Sequence, residues 1–451
     1  MESEVKIEAA RAALREALAR RDVDALRQLL ARAHPHGLAP VLPDLDVGEL
    51  ALLLRLLGHQ EVAQLVAELH PAAAATLLRR LSRVQAADIL EEMEPDDATD
   101  VLEALPVVEA EDVLRRVAPD EAEAIRQLLR YRPESAGGVM TPRFTALPPD
   151  VAVAEALRRV RRLAADREVI YYVYVTDATG HLLGVVSLRD LMLAPPQARL
   201  ADVMVRDVVA VPVDADREVA ARLLRQHHLL ALPVVDAQRR VLGIVTADDV
   251  AEVVEEETTE DVERLGGAEP LEEPYLLAGV SRVVRKRVGW LLLLFVAEAY
   301  TGTVLRFYED ELARVVALAF FVPLLIGTGG NVGSQVTTTL VRALAVGEVG
   351  FQHLGRVLWK ELRVALVLGA VMGIAAYVRS WTLGVAELGL VVGATACAVV
   401  VWATVVAVFL PLLLRRLGID PAVVSAPLIT TLVDGTGLVI YFTIARLLLG
   451  L

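Results

Sequence analysis

Residues 426–449 read APLITTLVDGTGLVIYFTIARLLL, which is long and apolar enough to cross a lipid bilayer as one helix. One carboxylate, Asp434, lies near the middle of this segment. A carboxylate at the centre of a membrane helix costs about 2.5 to 3.5 kcal/mol even on insertion scales, so an acid in this position is by default a functional residue. The segment therefore predicts a membrane protein whose function depends on Asp434.

Charge and hydropathy divide the chain into two parts. Residues 1–285 contain 50 acidic and 33 basic residues, whereas residues 286–451 contain 9 acidic and 12 basic ones. Apolar segments of spanning length occur only in the second part. We predict an acidic soluble half that lies in the cytoplasm, followed by a membrane half. The acidic half disfavours nucleic acid as a partner, because that binding needs Lys and Arg to displace counterions from phosphates; it suits cations instead.

A twelve-residue repeat runs through the chain from about residue 72 to 128. Apolar pairs recur at Leu77/Leu78, Ile89/Leu90, Val101/Leu102 and Val113/Leu114, and Pro71, Pro95, Pro106 and Pro119 mark the breaks. Twelve residues fit one short helix and a turn, and such units stack into a superhelix. Residues 1–133 are therefore predicted to form an all-α superhelical domain.

A second, longer repeat follows. Residues 168–193 and 228–253 both have the pattern strand, turn, strand, helix, and Gly184 and Asp190 recur 59 residues later as Gly243 and Asp249. This pattern predicts two α/β modules, over residues 134–200 and 201–256. Their segments GVVSLRD and GIVTADD resemble paired CBS modules, in which a Ser/Thr-x-x-Asp pattern often holds the ribose of an adenine nucleotide. The residues for such a site are Ser187, Asp190, Thr246 and Asp249. Helix capping explains the same residues equally well.

The remaining chain is predicted to contain a connecting helix over residues 257–285 and a transmembrane domain over 286–451. Five spans are expected, at 288–305, 313–340, 362–378, 386–412 and 422–446. Ten Lys and Arg residues flank them on one side and four on the other. The excess of positive charge on the inner side of membrane proteins places the N-terminus in the cytoplasm and the C-terminus outside the plasma membrane.

Two of the five spans carry polar residues. The second contains the segment GTGG at 327–330, followed by Asn331 and Gln335 on one helical face. Glycine-rich backbone in a membrane can line water, where its carbonyls face a cation. The fifth carries Thr430 and Asp434 on one stripe, and Pro427 is expected to free the carbonyl near residue 423. We interpret the two stripes as a cation path; polar contacts between helices are the alternative.

The order of these parts resembles the MgtE family of magnesium channels. The most specific segments are PLLIGTGGNVGSQ (323–335), ESAGGVMTP (134–142), TTEDVERLG (258–266) and ITTLVDGTGLVIYF (429–442). The resemblance implies a bacterial homodimer, surrounded by lipid, whose pore lies on the twofold axis. There Asp434 of both chains would face one hydrated Mg²⁺, near Gly330, Thr430 and Asn331. Mg²⁺ retains several waters and is met by one or two carboxylates, which agrees with such a site.

The resemblance also implies that acidic cytosolic residues bind regulatory Mg²⁺ and close the pore. The residues of this predicted sensor are Asp96, Asp100, Glu218, Asp249, Glu252, Glu257, Glu260 and Asp261. Gln64 and His228 stand where the family can have acids, so fewer ions are expected to bind. ATP is the nucleotide that the CBS pair would take.

Other functions are less consistent with the sequence. No HExxH zinc motif occurs, and Asp434 lacks the Asp-Thr-Gly order of aspartyl proteases, so we expect no enzyme. A secondary transporter that exchanges protons for divalent cations, Co²⁺ included, remains the alternative to a channel. A CBS-type sensor with a passive anchor is a third possibility, although an anchor needs no polar spans. The residues do not rank Mg²⁺ against Co²⁺, Ni²⁺ or Mn²⁺, since each accepts oxygen ligands.

Overall fold

The computed structural model describes residues 2–163 and 170–450. The chain divides into two compact units: residues 1–257 with 272–277, and residues 258–271 with 278–451. The start of the first α/β repeat, at residues 168–169, lies outside the described residues.

The first unit begins with nine helices in the described part of the chain. These are α1 Glu2–Arg20, α2 Val23–Leu38, α3 Val47–Leu57, α4 His59–Ala67, α5 Pro71–Leu78, α6 Arg83–Glu91, α7 Pro95–Glu103, α8 Val107–Leu114 and α9 Pro119–Leu128. The last five start at intervals of twelve residues, so the predicted repeat is confirmed. Proline in the first turn of α5, α7 and α9 favours helix initiation because its φ is already helical and its missing N–H is not needed there. The apolar pairs of the repeat are buried in one continuous core.

Two small sheets follow in the same unit. Their elements are β1 Ala146–Leu147, α10 Val153–Leu163, β2 Tyr172–Thr176, β3 Leu182–Ser187, α11 Leu188–Leu193, α12 Leu200–Val203, β4 Val211–Pro212, α13 Arg217–His227, β5 Ala231–Val235, β6 Val241–Thr246 and α14 Ala247–Leu265. The strand orders are β1-β2-β3 and β4-β5-β6. In each sheet the first pair is parallel and the second antiparallel. The predicted pair of α/β modules is therefore confirmed.

The two modules exchange the segments that precede them. Thr141 forms a β-bridge with Ile244 in the second sheet, and Val205 forms one with Val185 in the first. Gly243 and Gly184 make room for these segments. A Cβ atom at Gly243 would lie 2.8 Å from Met140 Sδ, and one at Gly184 would lie 2.6 Å from Met204 Sδ. Residues 134–142, which we assigned to the first module, thus pack on the second.

The second unit contains the membrane half. Its helices are α15 Val280–Phe307, α16 Glu309–Arg314, α17 Val322–Ala345, α18 Leu354–Thr382, α19 Gly389–Arg416 and α20 Ala426–Leu449. Five helical segments are long and apolar enough to span a membrane: 280–307, 316–345, 351–382, 386–416 and 426–449. The predicted number of spans is confirmed, and most of the spans are longer than predicted. In α18 and α19, Gly373 and Gly393 allow close backbone contact, because a Cβ at Gly373 would lie 2.8 Å from the Gly393 carbonyl oxygen.

Two local predictions differ from the structure. The expected connecting helix over 257–285 is not one helix, because α14 already begins at Ala247 and ends at Leu265, and α15 begins at Val280. Pro427 does not interrupt the fifth span. It lies in the first turn of α20, where no intrahelical N–H bond is lost, so the expected free carbonyl near residue 423 has no basis.

Candidate functional site

Asp434 is enclosed by protein on α20. The residue is 7% exposed, and its Oδ1 atom has no hydrogen-bond partner among the described residues. Its polar neighbours along the helix differ in this respect, since the Thr430 and Thr431 hydroxyls donate to the carbonyls of Ala426 and Pro427, each over 3.0 Å. A buried carboxylate oxygen without a partner is costly. Asp434 is therefore the residue of this stripe whose chemistry is not accounted for by helix structure.

Three glycines of α17, Gly329, Gly330 and Gly333, serve packing. The helix continues without a break through the GTGG segment, which contradicts our interpretation of glycine-rich backbone whose carbonyls face a cation. A Cβ at Gly330 would lie 2.7 Å from Thr430 Cγ2, and one at Gly333 would lie 2.6 Å from Ile429 Cγ2. Glycine at these positions lets α17 lie directly against α20.

One face of α17 is polar and exposed in the single chain. Asn331, Gln335, Thr338 and Arg342 recur on this face, and all four are exposed. Gly330 and Ser334 lie next to it and contact Thr430, whose Oγ1 is 3.4 Å from the Ser334 Oγ. Hydrocarbon does not satisfy exposed polar groups, so this face requires water or another chain.

Tyr441, a further polar residue of the fifth span, has a structural role. Its hydroxyl is buried and donates to the Leu318 carbonyl over 3.0 Å. This bond anchors the C-terminal half of α20 to the segment that precedes α17.

Several predicted sensor residues lie together in the first unit. Asp96 and Asp100 of α7 face Asp249, Glu252 and Glu256 of α14, and we call these five residues the acidic cluster. Burial, and then repulsion from Asp249 and Asp97, raise the pKa of Asp96 well above its ordinary value. The Asp96 Oδ1 atom has no hydrogen-bond partner in the described part of the chain. Burial also raises the pKa of Asp249, to about 6.

The other members of the cluster are more open to water. Asp100 is exposed as a residue, and its pKa is raised by crowding of its carboxylate among neighbours and by repulsion from Glu103 and Glu256. Water screens a charge in this position, so Asp96 and Asp249 matter most. Within residues 2–163 and 170–450, no three acidic, His or Cys side chains converge as a ready-made metal site. The cluster is thus a region of crowded negative charge, suited to hydrated cations that touch one or two carboxylates.

The remaining predicted sensor residues are not in the acidic cluster. Glu257 accepts a 2.7 Å bond from Arg217, which also bonds Glu256 over 2.7 Å. Glu260 forms an ion pair with Arg264, and Arg264 also pairs with Asp420.

Two predicted sensor residues remain, together with the two positions that lack the acid of the family pattern. Glu218 lies in the first turn of α13, and Asp261 lies on α14. The two departures from the family pattern, Gln64 and His228, are both exposed.

The predicted nucleotide residues form two similar pairs at helix starts, which differ in the direction of the backbone bond. The Ser187 hydroxyl donates to Asp190 Oδ2 over 2.6 Å and accepts from the Asp190 N–H over 3.1 Å. The Thr246 hydroxyl likewise donates to Asp249 Oδ2 over 2.6 Å, and the Thr246 N–H donates to the same oxygen over 3.1 Å. Capping is therefore present at both sites. Asp249 differs from Asp190 because it also belongs to the acidic cluster.

Comparison with known proteins agrees with this architecture. The family MgtE, described as a divalent cation transporter, matches residues 322–444. The MgtE intracellular N domain matches residues 33–134, and the CBS domain matches residues 136–196 and 200–256. The chain is 45% identical over 325 residues to the magnesium transporter MgtE of Thermus thermophilus. This alignment covers 72% of each of the two chains. The chain belongs to the MgtE family.

Other MgtE proteins give the same result. The magnesium transporter MgtE of Enterococcus faecalis is 37% identical over 72% of this chain and 71% of its own. Two solved structures resemble the first half. The soluble part of a magnesium transporter is 32% identical, covers 56% of this chain and 99% of its own, and has a TM-score of 0.53. The cytosolic domain of the Mg²⁺ channel MgtE in complex with ATP is 38% identical, covers 54% and 99%, and has a TM-score of 0.50. The MgtE family consists of membrane transporters, not enzymes.

Two features of this MgtE family member were not predicted from its sequence. Arg217 was missed because a single Arg in an acidic half carries no periodic signal. Glu298 lies within α15, and a carboxylate in the middle of a spanning segment is a signal that could have identified it.

Proposed function

We propose that this chain is a magnesium channel of the plasma membrane, through which hydrated Mg²⁺ enters the cell past Asp434. The unpartnered Oδ1 atom of Asp434 carries this proposal. A permeating cation would supply the partner that this oxygen lacks. Mg²⁺ fits because it holds its water shell and is typically met by one or two carboxylates through a few contacts.

The exposed polar face of α17 supports a pore between two copies of the chain. A pore on a twofold axis would be lined by equivalent residues from both copies, and the face that carries Asn331 and Gln335 would then meet water. Gly330 and Thr430, which touch each other, would set the separation of α17 and α20 at the pore. Two Asp434 side chains would face the same ion.

The acidic cluster supports regulation by Mg²⁺ inside the cell. Its carboxylates repel one another, and burial raises the pKa of Asp96 and Asp249. A bound cation would relieve that repulsion and hold α7 against α14. Millimolar internal Mg²⁺ would thus favour a compact, closed state, and low Mg²⁺ an open one.

Adenine nucleotide binding is proposed for the CBS pair, at Ser187, Asp190, Thr246 and Asp249. Support comes from the cytosolic domain of an MgtE channel that was solved with ATP. ATP should raise the stability of the full chain, by about 2.7 kcal/mol at a hundredfold excess over Kd. Ser187→Ala and Thr246→Ala should reduce this gain; an unchanged gain would leave capping as the whole role of the two hydroxyls.

The central experiment is Mg²⁺ flux through purified protein in liposomes. Asp434→Asn should reduce Mg²⁺ flux at least a hundredfold, because the ion loses its charged ligand. The matched control is Glu387→Gln, which changes an exposed acid between α18 and α19 and should transport like wild type. Wild-type flux in Asp434→Asn would exclude this residue from the pathway.

Flux without a pH gradient separates the channel from the proton-coupled exchanger. A channel follows the electrochemical gradient of Mg²⁺ alone and moves no protons. Proton movement in fixed proportion to Mg²⁺ would establish the exchanger instead.

A further inference from the structure

A second carboxylate, Glu298, lies in the membrane beside Asp434. Glu298 is on α15, the first span, and its carboxylate is close enough to Asp434 to interact with it electrostatically. Neither the polar spans nor the acidic cluster includes it.

Packing of α15 on α20 brings the two carboxylates together. Gly435, which follows Asp434, admits the first span: a Cβ atom there would collide with the Tyr300 ring and would lie 3.4 Å from the Thr301 Oγ1. Thr301 is 5% exposed, and its Oγ1 has no partner among the described residues. Glu298 lies three residues before Thr301 and therefore on the same face of α15. Two unpartnered oxygens and a carboxylate thus share one location.

No cation within residues 2–163 and 170–450 pairs with Glu298. In the described part of the chain it has no hydrogen bond or ion pair, and its side chain is exposed. The nearest basic residues on its own helix, Arg287 and Arg306, are eleven and eight residues away, which corresponds to about 16 and 12 Å along the axis. On α20, the basic residue is Arg446, and it is engaged by Glu311. An exposed carboxylate at this depth faces a prohibitive environment in lipid and needs water or a cation.

We propose that Glu298 is a further binding residue for the permeating cation, and that it holds a hydrated divalent ion jointly with Asp434. The inference rests on the proposed function, because it takes Asp434 to lie on the ion pathway. Two carboxylates from each chain would attract a divalent ion more strongly than a monovalent one, since the Coulomb energy doubles with the charge of the ion. Glu298 would thereby set affinity and valence selectivity, while Asp434 remains the enclosed ligand.

The test uses the full chain in liposomes and in planar bilayers. Glu298→Gln keeps the size and hydrogen-bonding capacity of the side chain but removes its charge. We expect the external Mg²⁺ concentration for half-maximal flux to rise about tenfold, while Glu298→Asp stays within about threefold of wild type and the control Glu387→Gln is unchanged. With Mg²⁺ and Na⁺ on opposite sides of a bilayer, the reversal potential of Glu298→Gln should shift towards Na⁺. A structural role alone would not change this potential.

The outcomes separate this inference from the proposed function. If Asp434→Asn loses flux while Glu298→Gln matches Glu387→Gln in half-saturation and reversal potential, the inference is wrong and the pore assignment stands. If Asp434→Asn transports like wild type, the proposed pore itself is wrong. If Glu298→Gln does not fold in detergent, Glu298→Asp becomes the deciding variant. A change of more than threefold in its Mg²⁺ concentration for half-maximal flux, without a change in the reversal potential, would contradict a role that depends on charge.

Discussion

Replacement of Asp249 by Asn should stabilise α14 in the absence of Mg²⁺. Burial raises the pKa of Asp249 from 3.8 to about 6, and a shift of this size costs the charged form about 3 kcal/mol at pH 7. Asn removes this cost but weakens the bonds from Thr246, whose N–H and hydroxyl both donate to Asp249 Oδ2. That loss is about 1 kcal/mol. The net gain is therefore about 2 kcal/mol.

The structure offers a matched control for this change. Asp190 likewise accepts a 2.6 Å bond from the hydroxyl three residues before it, that of Ser187, but it lies outside the acidic cluster. Asp190→Asn should therefore only destabilise its helix, α11, by about 1 kcal/mol. Amide hydrogen exchange of the full chain in detergent measures both effects. Amides of α14 should exchange about thirtyfold more slowly in Asp249→Asn, and amides of α11 about fivefold faster in Asp190→Asn.

The same substitution should alter the responses to pH and Mg²⁺. Because the pKa of Asp249 is raised in the folded chain, its cost is complete above pH 6 and disappears as the pH falls towards 3.8. Wild-type α14 should thus gain protection between pH 7.5 and 5, and also when millimolar Mg²⁺ is added at pH 7.5. In Asp249→Asn, the protection of α14 should increase less than in wild type, both on lowering the pH and on adding Mg²⁺. Equal changes in the two Asn variants, with the same response to Mg²⁺, would refute the argument that burial in the cluster penalises the charged form of Asp249.

Two further substitutions test the packing and the charges around these sites. Gly330→Ala places a methyl group 2.7 Å from Thr430 Cγ2 and should lower the free energy of unfolding by about 1 to 3 kcal/mol, measured by thermal unfolding of the detergent-solubilised protein. Adding Thr430→Ser, which removes the Cγ2 methyl of Thr430, should restore most of this loss. The Arg217 side chain is 14% exposed and bonds Glu256 and Glu257. Arg217→Ala should lower the free energy of unfolding by about 2 kcal/mol, which is less than for a fully buried pair because Glu256 is partly exposed. In hydrogen exchange, Mg²⁺ should recover part of the protection of α14 that this variant loses. A double variant no more stable than Gly330→Ala, or an Arg217→Ala protein insensitive to Mg²⁺, would contradict these explanations.

Features with a short period along the chain were predictable. The twelve-residue spacing of apolar pairs and prolines produced helices that begin at residues 71, 83, 95, 107 and 119, since each repeat holds its own start signal. The paired strand-turn-strand-helix pattern and the number of spans were correct for the same reason. Boundaries were less accurate. Pro427, taken as a helix breaker inside a span, lies at a helix start, and local sequence does not distinguish these positions.

The candidate site was only partly predictable. Asp434 was found because hydropathy alone makes a carboxylate in an apolar segment conspicuous. Asp96 and Asp249 were identified by resemblance to the family, but their closeness depends on how α7 packs against α14. The GTGG segment illustrates the opposite error. Its glycines suggested exposed carbonyls, whereas the helix is continuous and the missing side chains make room for Thr430 and Val433.

The sequence by itself determined the elements, their order, the division of charge between the two halves and the intramembrane position of Asp434, because periodicity, proline placement and transfer energy act over a few residues. The tertiary structure decided which of these elements touch. It exchanged residues 134–142 onto the second CBS module, gathered the acids of α7 and α14 into one cluster, and placed Glu298 beside Asp434 from a span 136 residues earlier in the chain. Such contacts depend on close packing of surfaces that are distant in sequence, and no local pattern encodes them.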